Sequence, residues 1–86
     1  MSQWFIYIVE CSDRTYYCGI TNDIDKRVRK HNTGRGAKYT RSRLPVFLLY
    51  SEQVETKSIA LKREYKIKSM RRQQKEWLVN ESNRTS

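Results

Sequence analysis

Glycine is scarce in this 86-residue chain, with only Gly19, Gly34 and Gly36. Their spacing cannot supply the G-x-x-x-x-G-K-[ST] phosphate cradle, which excludes a P-loop nucleotide site. Two cysteines (Cys11 and Cys18) and one histidine (His31) are too few for a Cys/His zinc centre. No apolar run is long enough to cross a bilayer. Met1-Ser2-Gln3 leads straight into a strand-like segment, with no secretory leader pattern. Free thiols and no leader imply a cytoplasmic protein. No internal repeat and no second domain are visible.

Acidic residues are the other scarcity: nine Asp+Glu face eighteen Lys+Arg, a net charge of +9 with an isoelectric point near 9.9. For one small domain this implies a polyanionic partner, nucleic acid first and an anionic membrane surface second. Hydrophobic residues are only 37% of the chain, but six Tyr and two Trp bring the aromatic share to 12%. That composition supports a folded domain with a thin core, not a disordered chain.

Trp4-Phe5-Ile6-Tyr7-Ile8-Val9 is apolar on both pleat faces and reads as a central buried strand. Tyr7 brings the one side-chain oxygen in that run and must find a partner. A turn at 11–14 leads to a second strand, Thr15 to Ile20, forming an antiparallel hairpin with the first. Asn22 or Asp23 can cap a helix to about Asn32 whose stripe is Ile24, Arg27, Val28 and His31. Residues 33–44 form a basic loop. Pro45 opens a third strand over 46–50, and 51–55 reads as a connection. A helix from Thr56 or Ser58 to Lys68 puts Ile59, Ala60, Leu61, Tyr65 and Ile67 on a broad apolar face, with Glu64 inside it. Ser69 caps a last helix over 70–80, with Met70, Trp77 and Leu78 as its apolar contacts. The reading is an α+β domain over 1–80, a small three-stranded antiparallel sheet flanked by helices in the order β-β-α-β-α-α, and a polar, disordered tail at 81–86.

Tyr7, Tyr17, Arg27, His31 and Glu64 are polar residues that periodicity turns toward the core, converging on one sheet face. Each alone has a plain structural explanation; together, in so basic a chain, they suit phosphodiester hydrolysis. Arg27 can clamp phosphate oxygens and Glu64 can hold a single Mg²⁺ or Mn²⁺. A tyrosine hydroxyl can orient or deprotonate water. One suitable carboxylate argues against a two-metal mechanism. In the loop, Arg35, Lys38, Arg41 and Arg43 can track phosphates while Tyr39 stacks on a base or sugar.

Phe5-Ile6-Tyr7, then Tyr17-Cys18-Gly19, Arg27, His31 and a helical Glu64 resemble the GIY-YIG nuclease domain. Gly36-Ala37-Lys38-Tyr39-Thr40 and Arg63-Glu64 are similar to its small stand-alone bacterial YhbQ-like (UPF0213) group. The resemblance spans Trp4 to about Val79. It implies a one-metal DNA endonuclease, with a place in DNA repair or recombination. In it Tyr17 is the general base, Tyr7 its partner tyrosine, Arg27 the phosphate ligand and His31 an aid to proton transfer or phosphate binding. Glu64 is the metal ligand, and Gly19 permits close packing behind the site. Some relatives carry a late-helix site asparagine, for which Asn80 is the candidate here. Phe5 and Cys18 depart from the name motif; Cys18 falls on the pleat face away from Tyr17. Ile20 replaces a lysine found in some relatives, which leaves Arg27 and the metal to favour a Tyr17 phenolate. Target choice would come from the basic loop and helices of a monomer, or from a protein partner. A non-catalytic nucleic-acid-binding module is the alternative.

Overall fold

A computed structural model of the chain describes residues 3–84, with the side chains of 83 and 84 excepted. Strands β1 (Trp4–Glu10), β2 (Tyr16–Thr21) and β3 (Phe47–Val54) form an antiparallel sheet in the order β2-β1-β3. The apolar run at 4–9 earns its central place: Ile6, Tyr7, Ile8 and Val9 are all buried, because both pleat faces are covered. Register pairs Tyr7 with Gly19 on one side and Ser51 on the other.

Between β2 and β3 lie α1 (Ile24–Asn32) and a short α2 (Lys38–Arg41); α3 (Lys57–Lys68) and α4 (Arg72–Arg84) follow. The Asp23 carboxylate caps α1 by accepting from the Lys26 amide at 3.1 Å. Thr56 caps α3 in the same way through the Ile59 amide. Asn32, at the end of α1, fastens the entry to β3. Its amide side chain donates to the Val46 carbonyl and accepts from the Val46 amide, as a neighbouring strand would.

The sheet separates two cores. On one face Tyr7, Val9, Cys11 and Val46 pack with Tyr17, Ile24 and Val28. On the other, Ile6, Ile8 and Cys18 pack with Ala60, Ile67 and Val79. Thus α1 covers one face, while α3 and α4 cover the opposite one.

Several elements differ from the sequence reading. Of the 51–55 connection, 51–54 are the second half of β3, where the polar Glu52 is held by Arg63 through contacts of 2.7–3.0 Å. The 33–44 loop contains α2. The broad apolar face expected on α3 is narrower, since Ile59, Leu61 and Tyr65 are exposed, Tyr65 by 79%. The inward stripe is Ala60, Arg63, Glu64 and Ile67, at i, i+3, i+4 and i+7. Ser69 ends α3 instead of starting α4. Gln74 reaches back to the Arg71 amide at 2.9 Å to begin that helix. Trp77 is 63% exposed, and Val79 is the buried contact of α4. Where polar composition suggests a frayed tail, α4 continues to Arg84; residues 85–86 lie outside the described residues.

Candidate active site

The α1 stripe places Ile24 and Val28 as apolar anchors in the sheet core and carries Arg27 and His31 to the same side. There they meet Tyr7 from β1. The Tyr7 hydroxyl lies 2.8 Å from His31 Nε2, and Arg27 Nε donates to the same oxygen at 3.3 Å. Arg27 Nη2 donates to the Gly36 carbonyl at 3.1 Å. Of a guanidinium's five N–H donors, two are thus used and three remain for an anion.

His31 is 0% exposed and Tyr7 is 1% exposed. Both imidazole nitrogens are occupied, Nδ1 by Thr40 Oγ1 at 2.8 Å. His31 therefore acts on the site through Tyr7 and does not itself meet solvent. Burial, with the Arg27 charge adding to it, pushes the imidazole down to about 4. Burial pushes the Tyr7 phenol up, and Arg27 works against it.

Tyr17 completes the cluster from β2. Its ring centroid is 5.4 Å from His31 in an edge-on contact, 6.5 Å from Tyr7 in a tilted one, and 5.9 Å from Tyr39 in a stacked arrangement. Gly19 sits where a Cβ would come within 2.5 Å of the Tyr7 hydroxyl, so only glycine lets the Tyr7 ring lie this close to β2. Cys18 points to the other core, where burial raises its thiol to about 11. It is a packing residue, not a nucleophile.

Glu64 corrects the expectation of a single sheet face. It comes from α3, on the opposite side from α1, because its stripe packs on the Ile6/Ile8 face. Its link to the cluster is Lys68, whose Nζ is 3.4 Å from the Glu64 carboxylate and 5.9 Å from the Tyr17 ring centre. Lys68 thus supplies a cation beside Tyr17 that Ile20 cannot. Nothing in the helix periodicity marks Lys68 off from the other lysines of α3.

No cluster of three or more His, Cys, Asp or Glu residues suited to a metal occurs among the described residues. Glu64, its side chain only 19% exposed, is a lone carboxylate at the rim. That donor set fits a hard divalent ion that keeps most of its shell as water and substrate oxygen.

Arg27 lines one shallow basic concavity, and Gly36, whose carbonyl its guanidinium reaches, lines a second. One is lined by Thr21, Asp23, Lys26, Arg27 and Lys30, the other by Arg35, Gly36, Lys38 and Arg41. Of the expected loop contacts, Arg35, Lys38 and Arg41 are exposed. Arg43 is not a free phosphate ligand: it pairs with Asp13 at 3.0 Å, donates to the Tyr39 carbonyl at 2.7 Å and lies 4.0 Å over the Tyr39 ring. It fixes the stack instead of contacting the ligand.

The neutral His31 has a measurable consequence. Unfolded, it protonates near 6.5; folded, it resists down to about 4. The unfolded chain therefore binds more protons across that window, and stability falls as pH falls through it. Urea unfolding should show a loss of about 2 kcal/mol between pH 7.5 and pH 5. Asp13 and Glu52, whose carboxyls are held below the ordinary range, add acid sensitivity mainly below that window. A flat profile from 7.5 to 5 would mean that His31 protonates in place.

Residues 3–77 match the family model of the GIY-YIG catalytic domain. UPF0213 proteins from Staphylococcus aureus strains Mu3 and MW2 are 56% identical over 81 residues, covering 94% of this chain and 99% of theirs. The solution structure of a UPF0213 protein from Bacillus halodurans is 42% identical, with a TM-score of 0.59 over 91% of this chain and 83% of that one. A solution structure from E. faecalis is 35% identical, with a TM-score of 0.64 over 96% and 88%. The chain belongs to the GIY-YIG nuclease family and, within it, to the UPF0213 group.

Proposed function

We propose that this protein is a metal-dependent endonuclease that hydrolyses phosphodiester bonds in DNA. The observation that carries the reading is Arg27. Its guanidinium is oriented by Tyr7 and by the Gly36 carbonyl, lines one basic concavity and reaches a lining residue of a second, with three N–H donors left over. That is the equipment for holding a non-esterified phosphate and the charge that grows on it during attack. Glu64 would hold one Mg²⁺ or Mn²⁺, which when bound stabilises negative charge on the phosphate and the leaving oxygen. Tyr17 is the half-buried tyrosine, more accessible than the enclosed Tyr7, and Lys68 lies beside it. It is the better placed of the two to take a proton from water, while Tyr7, itself held by His31, holds Arg27. Arg35, Lys38 and Arg41 would follow the backbone of the strand, while Tyr39, its ring already stacked on Tyr17 and covered by Arg43, would meet the nucleic acid by its exposed edge.

The reading places the protein in the cytoplasm as a monomer, in DNA repair or recombination, with target choice set by the basic loop or by a protein partner. Its test is a cleavage screen over plasmid, single-stranded, flap and junction DNA, with and without Mn²⁺. Cleavage that needs the metal and disappears in Glu64→Ala is the expected result. Salt-sensitive binding with equal affinity in Glu64→Ala, and no cleavage of any substrate, would establish the non-catalytic module instead.

A further inference from the structure

We infer that Thr40 is a positioning residue that selects the tautomer of His31 and, through Tyr7, sets the orientation of Arg27. Thr40 lies on the short helix α2 and is completely buried, although it is polar. Its hydroxyl touches His31 Nδ1 at 2.8 Å and donates to the Ala37 carbonyl at 3.2 Å. A hydroxyl has one proton to give. With that proton on Ala37, Thr40 Oγ1 must accept from His31, so Nδ1 carries the imidazole hydrogen. Nε2 is then a bare acceptor and receives the Tyr7 hydroxyl at 2.8 Å. The Tyr7 oxygen in turn has its lone pairs free for Arg27 Nε–H.

The opposite tautomer does not close the network. Thr40 would then have to turn its proton from Ala37 to Nδ1. Nε2–H would point at the Tyr7 oxygen, in competition with Arg27. The Tyr7 hydroxyl proton would have no acceptor, in a side chain that is 1% exposed. A buried unsatisfied donor costs about 1–3 kcal/mol, enough to decide between tautomers whose intrinsic difference is small. Among the described residues no buried side-chain polar atom lacks a partner, and of the two tautomers only Nδ1–H also gives the Tyr7 hydroxyl proton an acceptor. The sequence of donors therefore runs from Arg27 to Tyr7, from Tyr7 to His31, from His31 to Thr40 and from Thr40 to Ala37.

The link between this chain of bonds and phosphate handling rests on the nuclease reading; the tautomer does not. His31 is the only histidine, so its ring nitrogens can be assigned without ambiguity in a ¹⁵N-labelled sample. Long-range ¹H–¹⁵N spectra of the wild type at pH 7 should show protonated Nδ1 and unprotonated Nε2. Thr40→Ser, which keeps the hydroxyl, should retain that pattern and the protection of the Arg27 Nε–H from exchange. Thr40→Val, which removes the acceptor, should shift His31 toward Nε2–H and expose the Arg27 Nε–H to exchange. In a cleavage assay Thr40→Val should lose about 10–100-fold in kcat while Thr40→Ser stays near wild type. Nε2–H in the wild type, or an Nδ1–H pattern unchanged in Thr40→Val, would overturn the proposal. The wild-type spectrum alone decides the first point if Thr40→Val does not fold. Because these spectra need no substrate, a protein that cleaves nothing would defeat the nuclease reading and leave the tautomer assignment standing on its own evidence.

Discussion

Arg27→Ala should lower the rate of metal-dependent DNA cleavage by about 10²–10³-fold, the usual cost of removing one donor aimed at transition-state charge in a preorganised site. The effect should fall on kcat more than on DNA affinity. Arg27 is one cation among several along the groove, so losing it should reduce the salt slope of binding by about one. Stability should suffer little by comparison. The substitution leaves the Tyr7 oxygen and the Gly36 carbonyl each short of one donor, a cost of about 1–2 kcal/mol. Arg27→Lys is the informative companion. A lysine ammonium at the end of a flexible stem cannot hold Tyr7 and Gly36 and still present a planar pair of donors to phosphate. It should therefore recover DNA binding without recovering cleavage. Single-turnover rates and salt titrations on the three proteins separate these effects. Wild-type turnover in Arg27→Lys would mean that any positive charge suffices and that the held guanidinium geometry does nothing for the reaction.

How far the site could be read from the sequence depends on how local each determinant is. Ile24, Arg27, Val28 and His31 were legible because a nine-residue helix repeats the same face at i, i+3, i+4 and i+7, and a strong N-cap fixes where it starts. Tyr7 was legible because an unbroken apolar strand buries both faces, hydroxyl included. Glu64 was legible as inward-facing for the same reason as Arg27. Which sheet face its helix covers was not, because that follows from how the chain crosses after β3, a long-range choice that periodicity does not encode. Glu64 consequently meets the Tyr17 side of the sheet through Lys68, which lies near both. The short helix α2 was hidden for a different reason: four residues are less than two turns and offer no period to detect. Burial of Thr40 is dictated by a histidine nine positions away, not by anything in its own neighbourhood. The second half of β3 was missed because Ser51, Glu52 and Gln53 look like a solvated connection. On an edge strand that polarity is tolerated, and Arg63 neutralises Glu52. The exposed Ile59, Leu61 and Tyr65 on α3 are the converse case: apolar character at helical spacing does not by itself bury a side chain.

Gly36→Ala should be the most destabilising single-methyl addition among the three glycines. A Cβ at Gly36 would lie 2.2 Å from His31 Nδ1, 2.5 Å from its Cγ and 2.7 Å from its Cα. The last of these is backbone of α1 and cannot swing aside as a side-chain tip can. Either the 35–37 segment or the end of α1 must move, and both carry site contacts: Gly36 holds Arg27, and His31 holds Thr40 and Tyr7. Overpacking of this kind costs about 2–3 kcal/mol. A domain of this length has only about 4–13 kcal/mol in total, so the melting temperature should drop by roughly 10–20 °C. Gly34→Ala is the contrast. Gly34 has φ +82 with nothing within 4 Å of its added Cβ, so its cost is backbone strain alone, about 1–2 kcal/mol, with the site left intact. The two variants should therefore differ in kind. Gly34→Ala should melt modestly earlier and keep the steep pH dependence of stability between 7.5 and 5. Gly36→Ala should melt much earlier and lose most of that dependence, because a displaced imidazole is hydrated and protonates near its ordinary value. Equal losses in the two, or a Gly36→Ala protein with the wild-type pH profile, would show that the 35–37 segment can yield without disturbing His31. The close approach at Gly36 would then be a matter of packing and not what keeps the imidazole enclosed.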